Sequence, residues 1–160
     1  MHLVLVEPEI PANTGNVART CAVTGAELHL VKPLGFSVDD RYLKRAGLDY
    51  WHLLTIHYHD NFTEFLKAYP GGHLHLATTR AGRVYTDVQY GPDDFLVFGK
   101  ETAGLPENVI RRFKDNCIRI PMITEARSLN LSNSVAVVLF EALRQNGFPG
   151  LKRIAGDRKI

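Results

Sequence analysis

One stretch limits the available folds more than any other: residues 116–145, reading NCIRIPMITEARSLNLSNSVAVVLFEALRQ. Val135-Ala136-Val137-Val138-Leu139-Phe140 is the most apolar run in the chain. Continued by Glu141-Ala142-Leu143-Arg144, it predicts a helix ending near Gly147. A helix apolar on nearly every side must be covered on nearly every side. It therefore lies inside the domain, or divides its surface between the core and a second subunit. Ahead of it, Cys117-Ile118-Arg119-Ile120 predicts a strand stopped by Pro121. The loop between carries Glu125, Arg127, Ser128, Asn130, Ser132 and Asn133. A buried helix entered through a polar loop is either a ligand site or a Ser/Asn-rich cap on a core helix.

The rest of the chain alternates strand and helix. Leu3-Val4-Leu5-Val6 predicts a buried strand, ended by the turn Glu7-Pro8-Glu9-Ile10-Pro11. Asn13 reads as the N-cap of a helix running to Gly25. Val17, Cys21 and Ala22 share one face of it; Asn16, Arg19 and Thr20 lie towards another. Further strands are expected at 28–31, 55–58, 74–79 and 95–98. A short helix capped by Asp39-Asp40 ends at Gly47. Another covers 61–69 with Phe62, Phe65 and Leu66 inward, and a third starts at Pro106. This order predicts an α/β protein, a mainly parallel sheet flanked by helices. Its 160 residues make a single domain, 1–160.

Composition excludes several classes. The chain is 45% hydrophobic and 22% charged, which describes a globular protein. A net charge of +2 is too small to argue for a polyanion, although basic clusters occur at Arg41, Lys44, Arg45, at Arg111, Arg112, Lys114, and at Lys152, Arg153, Arg158, Lys159. Cys21 and Cys117 lack metal-ligand or CxxC spacing and read as buried free thiols. The N-terminus has no basic leader, and no run is long enough to span a membrane, so a cytoplasmic location is expected. The seven histidines show no ligand cluster along the sequence. His57/His59 and His73/His75 alternate on predicted strands and read as packing or solvent-facing, so no metal is expected.

In open parallel sheets ligands bind beyond the carboxyl ends of the strands. Three late strands end at Ala77-Thr78-Thr79, Val97-Phe98-Gly99 and Arg119-Ile120-Pro121. If they are neighbours, their ends form one pocket walled by backbone and apolar side chains. That suits a flat heterocycle with a small polar tail. The chain has no GxGxxG and no P-loop, which argues against a dinucleotide enzyme or a phosphate-binding NTPase.

Three stretches together resemble a known family: EPEIPANTGNVART (7–20), FGKETAGLP (98–106) and IPMITEARSLNLSNSVAVVLFEA (120–142). They are similar to the three motifs of the SPOUT superfamily of RNA 2′-O-ribose methyltransferases, in its SpoU branch. GFSVDDRYLKRAGLDY (35–50) resembles the single-domain members acting on the tRNA wobble nucleotide, cytidine or uridine. The resemblance implies a deep trefoil knot near the C-terminus, S-adenosylmethionine bound within it, tRNA as substrate, and a homodimer packed through the first and last helices. It places the cofactor against Ala77, Gly99, Ile120, Ser128 and Leu129. It matches Arg19 and Asn130 to catalytic positions, and Asn13 and Glu101 to polar positions near the substrate. Arg41, Lys44 and Arg45 become candidates for tRNA phosphates. The chain departs from the family pattern at Phe140, where tyrosine is usual, and at Lys100, where proline is common. Two rival readings are a 2′-O-methyltransferase for another RNA, such as rRNA, and a non-catalytic dimeric RNA-binding module. A doubly wound protein for another nucleotide is a third.

Overall fold

The computed structural model describes residues 1–37 and 53–154. The expected helix after Asp39-Asp40, with Arg41, Lys44 and Arg45, lies outside the described residues, as do Arg158 and Lys159. The elements are β1 (His2–Val6), α1 (Pro11–Thr24), β2 (Glu27–Val31), β3 (Ile56–His59), α2 (Phe62–Ala68), β4 (Leu74–Ala77), β5 (Phe95–Phe98), α3 (Glu107–Arg112), a 3-10 turn at Lys114–Asn116, β6 (Cys117–Ile118) and α4 (Leu131–Gln145). The strands form one parallel sheet in the order β3-β2-β1-β5-β4-β6.

The runs Leu3–Val6 of β1 and Phe95–Phe98 of β5 are apolar on both faces because helices cover both. On β1, Leu3 and Leu5 point to a core built with Val17, Ala18 and Cys21 of α1 and Val135, Val138, Leu139 and Ala142 of α4. Val4 and Val6 point the other way, to Phe65 of α2 and Val109 of α3, with Phe95 and Val97 of β5. The unbroken Leu3–Val6 run is thus a period-two strand with two buried faces. Both cysteines are buried and unpaired, and burial raises the Cys21 thiol far above its usual range.

Several boundaries differ from expectation. Helix α1 starts at Pro11 with Ile10 as its N-cap, so Asn13 is not the cap. Proline at the first helical position outranked the asparagine two residues on, because its φ suits that position and it has no N–H to leave unpaired. Gly25 ends the helix at φ 73°, a left-handed conformation favouring glycine. Ala18 is buried on the inner face where Ala22 was expected; Ala22 is only half-buried. β4 stops at Ala77 and β6 at Ile118, each two residues early, since their ends turn into the loops of the cleft. α3 starts at Glu107, with Pro106 as its cap.

α4 is the helix expected from the apolar run, capped by Asn130. Its coverage within one chain is incomplete. Val137 and Phe140 are 37% and 45% exposed, and Ile10 and Val23 of the α1 region are 45% and 50% exposed. α1 and α4 pack against each other, so these apolar side chains belong to one helical layer. No helix among the described residues is long and apolar enough to cross a membrane.

Candidate active-site cleft

The sheet register places three strand ends in one row. Ala77 pairs with Phe98 on one side and Ile118 on the other. The loops leaving that row enclose a cleft of about 550 Å³, a size typical of sites for compact ligands. Ala77, Gly99, Ile120, Ser128 and Leu129 all line it, as do Asn13, Glu101 and Asn130. Thr78, part of the strand end expected to line the pocket, does so. Met122, Leu131 and Ser134 also line it and are not among the sequence candidates; Met122 carries a signal, since it lies two residues past a predicted strand end. Arg19 is exposed on α1 and is not among the residues lining this cleft.

Gly99 is where the cleft floor is tightest. A Cβ there would lie 2.1 Å from Gly104 C and from Leu105 N. The loop closes back over the glycine, held by Gly104 N donating to Lys100 O at 2.8 Å. Only a residue without a side chain permits that approach.

A hydrogen-bond chain joins the three motifs. Asn130 Nδ2 donates to Asn13 Oδ1 at 3.0 Å, and Asn13 Nδ2 donates to Glu101 Oε1 at 2.9 Å. Glu101 also accepts from Glu9 N at 2.8 Å and Ile10 N at 3.3 Å. Glu101 thereby satisfies amides at the start of α1. A carboxylate is well placed there, at the positive end of the helix dipole. Glu9 returns the contact, accepting from Thr102 N and Oγ1, which hold its carboxyl below the usual range. Lys100, the departure from proline, reaches Glu7 at 3.0 Å, and that contact raises its own pKa. The loops after β1 and β5 are thus clasped across adjacent strands.

Asn130 does two jobs in this chain. Its Oδ1 caps α4, accepting from Ser132 N at 3.0 Å and Asn133 N at 3.3 Å, while its amide holds Asn13. Asn130→Ala is expected to cost about 0.5–2 kcal/mol in urea unfolding, the usual worth of a cap. Asn130→Asp keeps the cap but sets an acceptor against Asn13 Oδ1. It should retain most of the stability yet weaken binding in the cleft, and equal losses from both variants would show that only the cap matters.

The histidines do not stay apart. His2, Glu27 and His29 bring ligand atoms together, as do His73, His75 and Asp94, so the absence of any cluster along the sequence does not hold in space. Spacing along the chain cannot show this, because it arises from pairing between strands. Burial, reinforced by neighbouring imidazoles, lowers the pKa of His29 to about 3.

The cleft has apolar walls at Ala77, Ile120, Leu129 and Leu131 and neutral polar groups at Thr78, Ser128 and Ser134. Two of its cations are committed to carboxylates, Lys100 to Glu7 and Arg80 to Glu107. Arg127 and Glu101 line it as well. Fold and cleft together define an α/β protein with a ligand-sized cleft at the carboxyl edge of a parallel sheet.

Comparison with known proteins agrees. The family model described as SpoU rRNA Methylase matches residues 1–140. A Listeria monocytogenes protein named putative tRNA (cytidine(34)-2′-O)-methyltransferase is 51% identical over 163 residues, covering 99% of this chain and 96% of the relative. A structure described under 2-OH methylation of C/U34 on tRNA superposes with TM-score 0.88 at 46% identity, covering 91% of this chain and 95% of its own. The AdoMet-bound rRNA methyltransferase from Sinorhizobium meliloti gives TM-score 0.80 at 26% identity, covering 89% of this chain and 55% of its own. The chain belongs to the SpoU methylase family.

Proposed function

We propose that the protein is an S-adenosylmethionine-dependent methyltransferase for the ribose 2′-oxygen of nucleotide 34, the wobble position, in the tRNA anticodon loop. The observation that carries this reading is the row of strand ends at Ala77, Phe98 and Ile118, whose loops enclose a cleft lined by every residue the resemblance gives to the cofactor. The full-length relatives named for cytidine 34 supply the position. A tRNA substrate implies the cytoplasm.

The donor set suits the cofactor. Ala77, Ile120 and Leu129 offer flat apolar surface for adenine. Ser128 and the loop backbone at Gly99 offer hydrogen bonds to ribose and the amino-acid tail. When bound, the cofactor supplies an electrophilic methyl on a sulfonium. The chain must then hold the ribose hydroxyl in line with that methyl, exclude water and stabilise the oxygen as its proton leaves. Holding the two in line supplies roughly 7–11 kcal/mol. In the Asn130–Asn13–Glu101 chain, Asn13 and Glu101 are assigned to substrate placement and Asn130 to the catalytic position. Its members are bonded to one another and thus fixed in position. Arg41, Lys44 and Arg45 keep their assignment to tRNA phosphates.

Arg19 is assigned to the acceptor oxygen. A guanidinium remains protonated, so it acts as a fixed cation beside the developing alkoxide and not as the base. Because Arg19 lies outside its own chain's cleft, the reading requires a second subunit to present it. The apolar layer of Ile10, Val23, Val137 and Phe140 flanks α1 and supports a homodimer through α1 and α4. The trefoil knot belongs to this proposal as well. Arg119 N donates to Arg83 O and Tyr85 N to Arg119 O, while Gln145 and Asn146 side chains donate to Val88 O and Tyr90 O, so the loop between β4 and β5 is bonded to the later chain at two places, contacts that a knot would require.

Mapping 2′-O-methylation in tRNA from cells with and without the protein tests the reading. Loss of the mark at position 34 alone is expected. A mark that persists there, or one lost only from rRNA, would end the proposal.

A further inference from the structure

A second group of functional side chains sits far from the cleft, towards the amino ends of the strands. His2 and Glu27 are register partners on β1 and β2, and His29 follows two residues later on the same face of β2. His2 Nδ1 stands 3.2 Å from His29 Nε2 and 3.8 Å from Glu27 Oε2. The three ligand atoms all lie within 4.8 Å of one another. We propose that His2, Glu27 and His29 form a binding site for a divalent transition-metal ion of the zinc type, with an open position for water.

The spacing carries the proposal. Zinc takes nitrogen at about 2.0–2.1 Å and carboxylate oxygen at about 2.0–2.2 Å. A tetrahedron of those radii sets neighbouring ligand atoms about 3.3–3.4 Å apart. The 3.2 and 3.8 Å separations straddle that edge. Two imidazole nitrogens with one carboxylate oxygen is a set zinc uses when a fourth position stays open.

The surroundings orient these ligands. His29 Nδ1 lies 3.1 Å from His59 Nε2; donation there leaves the His29 Nε2 lone pair turned towards His2 and Glu27. His57 Nε2 lies 2.6 Å from the same carboxylate oxygen, Glu27 Oε2, and steadies the side chain. His2 stacks on Phe95 with ring centroids 4.4 Å apart, which fixes its plane. His29 is fully enclosed, whereas the Glu27 side chain is 42% exposed and gives an ion its way in.

The other group, His73, His75 and Asp94, differs. There Asp94 Oδ2 accepts from His75 at 2.8 Å, His73 at 3.0 Å and Gly91 N at 2.8 Å. Those contacts complete the carboxylate as a hydrogen-bond hub, with no need of an ion. The proposed site is also independent of methyl transfer. His2, Glu27 and Phe95 pair at the amino edge of the sheet, whereas the cleft opens beyond Ala77 and Phe98 at the carboxyl edge.

The test is calorimetric titration of untagged, chelator-treated protein with Zn²⁺, with Co²⁺ as a spectroscopic stand-in. One ion per chain and strong visible bands of tetrahedral cobalt are expected. Glu27→Gln and His2→Gln should each weaken Zn²⁺ binding by about tenfold or more, and His73→Gln should leave it unchanged. These two positions are used because His29 is enclosed and its loss could unfold the chain; circular dichroism checks that both variants fold. Failure to bind Zn²⁺, or binding that His73→Gln abolishes and Glu27→Gln does not alter, would overturn the site.

Discussion

Replacing Arg19 with alanine is expected to slow single-turnover methyl transfer about 10²–10³-fold, the worth of one preorganised donor at a developing oxyanion, roughly 2.7–4 kcal/mol. Cofactor affinity should not change, because Arg19 does not line its own chain's cleft. The fold should persist, because the side chain is exposed. The signature is therefore a rate lost at saturating cofactor in a chain that still folds. Lysine at this position should recover part of the loss, because it restores a charge but not the planar fork. A turnover equal to that of the unmodified chain would remove Arg19 from the chemistry.

The same residue tests the subunit arrangement. An Arg19→Ala chain still carries an intact cleft, and a Leu129→Arg chain with a blocked cleft still carries Arg19. After subunit exchange at equal concentrations, half the dimers are mixed and one of their two sites is complete. About a quarter of full activity should then return. No recovery would place Arg19 and its cleft in one chain, against the exposed position it occupies.

The sequence disclosed the elements whose burial is extreme. Leu3–Val6 and Phe95–Phe98 are runs with no polar residue, and only a doubly covered strand accommodates them, so they were placed to within a residue. α4 was legible from its apolar run, but the exposure of Val137 and Phe140 was not; nothing along a helix says which flank its own chain leaves uncovered. The cleft was legible at the strand ends because parallel sheets put ligands there. Its clasp was not. Glu101 meets α1 some ninety residues away in the chain, and Glu9 meets Thr102 at similar separation, contacts that follow from β1 lying beside β5. The imidazole groups escaped for the same reason: His2 and Glu27 become neighbours only once the register of β1 on β2 is set. At Asn13 the local signal itself competes: Pro11 and Asn13 both mark a helix start, and the proline sets it, leaving Asn13 inside the first turn.

The largest effect on the fold is expected from Gly99→Ala. Its Cβ would meet Gly104 C and Leu105 N at 2.1 Å and Gly104 O at 2.4 Å, all backbone atoms. No rotamer can relieve such contacts. Gly104 sits at φ 69° and bonds Lys100, Leu105 is buried, and the loop is clasped through Glu9 and Glu101. Overpacking commonly costs about 1–3 kcal/mol, and a clash against pinned backbone belongs at or above the top of that range. Because the floor of the cleft must open to relieve it, binding of S-adenosylhomocysteine should be lost even in whatever fraction still folds. Gly82→Ala is the control: no atom lies within 4 Å of its added Cβ and its φ lies outside the left-handed range, so it should be neutral or stabilise by up to about 1 kcal/mol. Urea unfolding and calorimetry read the two variants side by side. If Gly99→Ala unfolded within about 0.5 kcal/mol of the unmodified chain, the loop could not close over Gly99 as described, and the cleft would lose its floor.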